Sequence, residues 1–290
     1  MKPPKFVARL ARVMTLGALA FGTFTLAAAP AAQAAGGNND PSCKPTAQHP
    51  YPVVFLHGLG ATYYEDLNFL QSDVAGQGYC TFSATYGAYA GFPYVGGLQP
   101  VAQSATQIKA FIGQVLTETG AAKVDIVGHS EGGFQSLYVT KTQGIAGQVD
   151  KVLAIAPPTH GTTFAGLYSL AVAFGQTALV DQALATFGCP ACAELVTGGS
   201  AVRTLDNGPI AQPGVSYTVL TSRYDELVTP TDTAFVAEPG VRNQYVQDTC
   251  PYDPVGHIGE AYDLNVWRLV ENALDPANAK ALPCAAGSPG

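Results

Sequence analysis

Apolar residues fall along this chain in two recurring patterns. Residues 51–56 (Y-P-V-V-F-L) are a short, continuous apolar run, the signature of a strand buried on both faces, and 124–127 and 149–156 read as a third and a fourth strand. Between Pro100 and Gly120, Val101, Ile108, Phe111, Ile112, Val115 and Leu116 instead recur at helical spacing and mark one face of a helix. Residues 79–86 read as a second strand, followed by a Gly- and aromatic-rich loop through Gly97; 215–221 read as a fifth strand and 244–247 as a weaker sixth. Residues 134–140 and 263–274 read as helices. Strands that alternate with helices predict an α/β fold, a mostly parallel sheet covered by helices on both faces. Residues 159–207 break the rhythm. They are rich in Ala, Leu, Phe and Gly, with helical stretches and no clear strand, and read as a helical insertion or cap.

The first 34 residues do not join this pattern. Lys2, Lys5, Arg9 and Arg12 precede the apolar run 13–26, and Ala32-Gln33-Ala34 offers a small-x-small cleavage site. That is the layout of a secretory signal peptide, and the expectation is export followed by cleavage, leaving 35–290 as one domain. The leader holds four of the 14 basic residues and none of the 21 acids, so its removal takes the net charge from −7 to about −11. Such a balance argues against nucleic acid or anionic lipid as the main partner. A hydrophobic fraction of 47% argues against disorder. No later run has the ~18 uninterrupted apolar residues expected of a membrane anchor.

Six cysteines follow the leader: Cys43, Cys80, Cys189, Cys192, Cys250 and Cys284. An even number in an exported chain reads as disulfides, with fifteen possible pairings. Cys43 lies shortly before the first strand and Cys80 near the start of the second, which in a parallel sheet puts both on one rim. Cys189 and Cys192 can close a tight local loop. Cys250 and Cys284 then remain, a bridge that would tie the C-terminal tail to the segment before His257. Cys189-Pro-Ala-Cys192 follows no strand of a thioredoxin-like unit, and no second Cys or His pair stands at zinc-site spacing.

The chemistry centres on Gly128-His129-Ser130-Glu131-Gly132-Gly133, which follows one buried strand and opens a helix. A G-x-S-x-G turn in that context lifts a serine hydroxyl to the helix N-terminus, where free N–H groups favour developing negative charge. Serine needs a base and the base an orienting acid, in the chain order Ser, Asp or Glu, His. His257 is the histidine well downstream of the last strands. Asp225 lies just beyond the strand 215–221, with Glu226 as a fallback and Asp232, Asp248 and Asp253 as further alternatives. The Glu131 N–H and the Leu59 N–H, the latter in His57-Gly58-Leu59-Gly60, are the expected oxyanion donors. Tyr63, Tyr64, Tyr86 and Phe92, with Tyr89 and Tyr94, fall in loops expected around the serine and would suit an acyl chain or simply pack on one another.

With H-G-L-G at His57, G-H-S-E-G-G at Gly128, S-R-Y-D-E-L-V-T-P at Ser222 and D-T-C-P-Y-D-P-V-G-H ending at His257, the chain resembles the α/β-hydrolase superfamily and, within it, secreted actinobacterial class 2 lipases. The resemblance covers nearly all of 35–290. It implies a carboxylic ester hydrolase acting on acylglycerols or related esters, without a cofactor. Glu131 departs from the Met or Gln often found there; an ionised carboxylate beside the nucleophile would oppose an anionic intermediate. A polyester depolymerase and an acyltransferase are alternatives within the same chemistry, and a silent binding protein is an alternative outside it. No nucleotide, flavin or metal motif is apparent, and the sequence is silent on oligomeric state, for which a monomer is the expectation.

Overall fold

The computed structural model of the chain describes residues 36–163 and 188–289. The leader segment and the middle of the 159–207 insertion lie outside the described residues. Six strands form one parallel sheet: β1 (Val53–Leu56), β2 (Thr81–Ser83), β3 (Val124–His129), β4 (Val149–Ile155), β5 (Ser216–Thr221) and β6 (Val241–Tyr245), in the order β2-β1-β3-β4-β5-β6. Both faces of the sheet are covered, and β1 is apolar throughout for that reason. On one face Val54, Leu56, Ile126, Val152 and Val219 pack with α2 (Val101–Thr119) and α3 (Glu131–Thr142). On the other, Val53, Phe55, Val127, Leu153 and Leu220 pack with α1 (Asn68–Gly76) and the later helix Leu264–Leu274. The side-chain period of two assigns alternate residues of each strand to the two cores.

Helix α2 runs as its pattern predicts and stops where Gly120 turns left-handed at φ 74°, its N–H closing onto the Leu116 carbonyl. Between β4 and β5 lie α4 (Pro190–Glu194) and α5 (Ser200–Leu205). The last two helices are α6 (His257–Glu260) and α7 (Leu264–Leu274). Asp263 caps α7, accepting from the Asn265 and Val266 N–H groups at 2.8 and 2.9 Å.

Four elements differ from the sequence reading. Helix α1 is new; it lacks a side-chain N-cap and its polar residues blur the apolar face. Strand β6 begins at Val241, earlier than expected, because an edge strand such as V-R-N-Q-Y needs no continuous apolar run. Strand β2 is confined to Thr81–Ser83, at the other edge. His257 opens a one-turn helix rather than lying in a loop.

The exposed backbone of β2 is covered by residues 37–39: Thr81 N–H donates to the Gly37 carbonyl and Asn39 N–H to the Thr81 carbonyl, both at 2.8 Å. The disulfide Cys43–Cys80 anchors this segment, while Cys189–Cys192 and Cys250–Cys284 close the other two bridges. Among the described residues no helix is long and apolar enough to cross a membrane.

The sheet grows in opposite directions from β1, outward to β2 and then back through β3 to β6. Its switch point lies between β1 and β3, whose register pairs Leu56 with Gly128. The loops leaving these two strands are therefore neighbours, where parallel α/β sheets place their binding crevice.

Candidate active site

Ser130 sits between β3 and α3 with φ 55° and ψ −123°, a strained backbone for a residue with a side chain. The flanking glycines explain how the turn closes. A Cβ on Gly128 would run into the Gly132 carbonyl, and one on Gly132 into the Leu56 carbonyl. The Ser130 N–H donates to the Ile155 carbonyl of β4 at 2.8 Å, which holds the turn to the sheet.

His257 and Asp225 come together at the same end of the sheet. Nδ1 of His257 lies 2.8 Å from Oδ2 of Asp225, and both side chains are fully buried. The other carboxylate oxygen accepts from the Leu227 and Val228 N–H groups at 2.9 and 2.8 Å, which fixes the carboxylate plane. Nε2 of His257 and Oγ of Ser130 are both buried without a hydrogen-bond partner among the described residues. A carboxylate-held imidazole with its second nitrogen unspent can act as a general base, and a serine on a strained turn as the nucleophile.

The alternative acids are engaged elsewhere. Glu226 accepts from the His257 backbone N–H, at 3.4 Å, and not from its ring. Asp248 pairs with Arg223 at 2.6 Å. Asp253 accepts from Val255 N–H, Gly287 N–H and Asn265 Nδ2. Asp232 lies in the first turn of a short 3₁₀ segment, Thr231–Ala234.

Leu59 and Glu131, the expected oxyanion donors, are both buried, in the loop after β1 and at the first position of α3. The loop that carries Leu59 is braced. Gly60 N–H donates to the Gly96 carbonyl at 3.0 Å, and Nδ1 of His57 lies 2.8 Å from the Gly58 carbonyl. The Glu131 side chain is buried, its Oε1 3.4 Å from Gln135 Nε2 and its Oε2 against Gly97. Burial pushes this carboxyl well above the usual carboxylate range, Gln135 opposes, and the nearby Glu194 charge adds to the rise. The shift favours the neutral acid, a form that would not oppose an anionic intermediate.

Three groups escaped the sequence reading. Asp66 and His129 form a buried pair, Nδ1 to Oδ1 at 2.7 Å, with no local signal linking them. Glu260 stands one helical turn after His257, a spacing that could have flagged it. It accepts from the Ser222 N–H at 3.0 Å, and burial followed by the Asp225 charge pushes its carboxyl well above the usual range. Asp225, His257 and Glu260 each place a donor atom within 4.8 Å of the others, a spacing that also suits a metal ion. In this structure Nδ1 of His257 is already spent on Asp225, and Oε1 of Glu260 on Ser222.

A family model described as Lipase (class 2) matches residues 50–263. The chain belongs to the class 2 lipases. A triacylglycerol lipase of Burkholderia plantarii is 32% identical to it over 169 residues, 56% of this chain and 42% of that protein. Another, from Pseudarthrobacter phenanthrenivorans, is 31% identical over 143 residues, 47% of this chain and 42% of that protein. The chain thus matches less than half the length of these curated relatives. Among solved structures, Aspergillus fumigatus lipase B superposes with a TM-score of 0.59 at 20% identity, over 82% of this chain and 58% of that one. Mature Bacillus licheniformis lipase BlEst2 gives 0.55 at 18% identity, over 83% and 97%. These likenesses show the α/β-hydrolase fold, in agreement with the parallel sheet.

In this class 2 lipase the aromatic candidates divide by position. Tyr63 and Tyr64 are 47% and 72% exposed, and Tyr94 is 68% exposed. Phe92 is half-buried against the core and meets Tyr94 edge-on. Tyr86 is not on a free wall. It is buried, its ring stacks on His57 at 4.2 Å, and its hydroxyl donates to the His57 carbonyl at 2.6 Å. Tyr86 is a brace under the loop, because a buried phenol finds its partner inside the protein.

Proposed function

We propose that this class 2 lipase is an exported serine ester hydrolase that cleaves acylglycerols or related carboxylic esters. Ser130 Oγ attacks the ester carbonyl as His257 Nε2 takes its proton, and the carbonyl oxygen becomes an oxyanion facing the Leu59 and Glu131 N–H groups. The tetrahedral intermediate collapses, His257 returns the proton to the leaving alcohol, and an acyl-Ser130 ester remains. Water, deprotonated by His257, then releases the acid and restores Ser130. Asp225 holds the imidazole in the tautomer with Nδ1–H and stabilises the imidazolium formed at each step.

The observation that carries this reading is the buried 2.8 Å bond between His257 and Asp225 at the sheet end that bears Ser130. The two bacterial relatives described as triacylglycerol lipases support the substrate class. The leader pattern and three disulfides support export. The test is Ser130→Ala assayed on p-nitrophenyl esters of rising chain length, a triglyceride emulsion and a polyester film. Turnover should fall to the residual ~10³–10⁴-fold over water that remains when a triad member is lost. The parent should react covalently with a fluorophosphonate and the variant should not. Activity of Ser130→Ala within about tenfold of the parent would overturn the assignment.

A further inference from the structure

We propose that His129 is a positioning residue, an imidazolium locked between Asp66 and the main-chain carbonyl of His257, which ties the loop carrying Leu59 to the helix carrying the base. The proposal rests on the triad reading above. A continuous chain of bonds supports it. Gly58 N–H donates to Asp66 Oδ2 at 2.6 Å, Asp66 Oδ1 lies 2.7 Å from His129 Nδ1, and His129 Nε2 lies 3.0 Å from the His257 carbonyl oxygen. Gly58 immediately precedes Leu59, and His257 is the base itself.

The proton count follows from the partners. A backbone carbonyl only accepts, so Nε2 must carry a hydrogen. A carboxylate whose other oxygen already takes a backbone N–H accepts as well, so Nδ1 must carry one too. A neutral imidazole has one donor and one acceptor; only the cation donates from both nitrogens. His57, one strand away, shows the contrast: its Nδ1 faces a carbonyl, but its Nε2 accepts from the Tyr86 N–H, the pattern of a neutral ring.

A buried cation needs its counter-ion at hand, and the side chains of His129 and Asp66 are both fully buried and in contact. Burial alone would push His129 down. The Asp66 charge and hydrogen bond, the His257 carbonyl and the Asp225 charge outweigh it, and the ring ends above its usual value. Asp66 is itself fixed, at φ 73° and with its N–H donating to the Tyr262 hydroxyl at 3.1 Å.

The purpose is geometric. In the transition state positive charge develops on His257 while negative charge develops before the Leu59 N–H. The two sites lie on a loop and a short helix far apart in the chain, and their separation decides how well both charges are met. The Asp66–His129 strut sets that separation without touching the reacting atoms. The His129 and His257 rings lie 5.0 Å apart, so an uncompensated His129 cation would also repel the developing imidazolium; Asp66 cancels it.

The test has a spectroscopic and a kinetic arm. In the whole chain labelled with ¹⁵N-histidine, His129 should show two ring N–H resonances that persist between about pH 5 and pH 8, identified by their absence in His129→Gln. A single ring N–H would overturn the proposal, whatever the enzyme's activity. In the kinetic arm, Asp66→Asn should remove one of the two resonances and lower kcat about 100-fold with KM within about twofold. The double variant Asp66→Asn/His129→Gln should be no slower than the slower single variant. Additive losses, or a loss carried by KM, would equally overturn it. Fluorophosphonate labelling of the parent tests the triad separately: without labelling the triad reading fails, while the resonances still report the charge of His129.

Discussion

Glu131 adjoins the proposed nucleophile with a carboxyl that burial pushes well above its ordinary range, and its Oε2 has no hydrogen-bond partner among the described residues. The folded protein holds this proton at pH values where the unfolded chain has released it. Its contribution to stability is thus complete below the ordinary value of 4.5 and is lost as pH rises toward the folded value. Glutamine keeps the shape and has no proton to lose. Glu131→Gln should therefore raise the melting temperature more at pH 8 than at pH 5, with kcat near that of the parent. An equal gain at both pH values would show that the group is not held neutral. The Asp225–Glu226 pair makes a second residue-scale prediction. Asp225→Asn should lower kcat about 10⁴-fold, because the amide turns the imidazole to the wrong tautomer. Glu226→Gln should stay within about tenfold, since its contact is with the His257 backbone. The reverse ranking in steady-state assays would move the acid to Glu226.

At the scale of elements, α6 is too short to hold His257 by its own helical bonds and depends on what surrounds it. The tail does much of this. Gly256 N–H donates to the Ser288 carbonyl at 3.0 Å, Asn265 Nδ2 to the Ala285 carbonyl at 2.8 Å, and Gly287 N–H to Asp253. The disulfide Cys250–Cys284, 34 residues apart in sequence, fastens both ends of this arrangement. Closing a loop of that length contributes about 3–4 kcal/mol in the chain-entropy model. Replacing both cysteines by serine should lower the temperature of half-inactivation while far-UV circular dichroism of the sheet and main helices is still native. Loss of ellipticity together with activity would mean that the tail supports the entire fold and not this element alone.

For the whole molecule, the two-sided core matters most, because it sets strand order and so decides which loops meet. With β1 and β3 adjacent, the 57–60 loop and the Ser130 turn are neighbours, and β5 delivers Asp225 to the same end. The low charged fraction, 12%, and a net charge of −7 are compatible with the export and the uncharged ester substrates proposed above. Expressed in a bacterium with a general secretory pathway, the protein should reach the culture medium with Ala35 as its first residue. Terminal sequencing that finds Met1 or Lys2 on the released protein would reject the leader.

The order of strands and helices, the Ser130 turn and the candidate base could be read from the sequence because each rests on neighbours within a few positions. Two-sided burial writes itself most plainly in the apolar run of β1, and Gly128 is required by the Gly132 carbonyl that its own turn brings close, while Gly132 answers to the Leu56 carbonyl of β1. Edge strand β6 and helix α1 were harder to read, since neither needs a strong apolar pattern. The pairing of the His257 ring with Asp225 and not with Glu226, the upward shift of the Glu131 carboxyl, the nearness of Glu260 and the Asp66–His129 pair came only from the tertiary structure. Asp66 and His129 are 63 residues apart, and Asp225 and His257 are 32 apart. The sheet order chooses those partners. Protonation is set by burial together with the charges and hydrogen bonds that surround each group, which no local pattern of residues encodes.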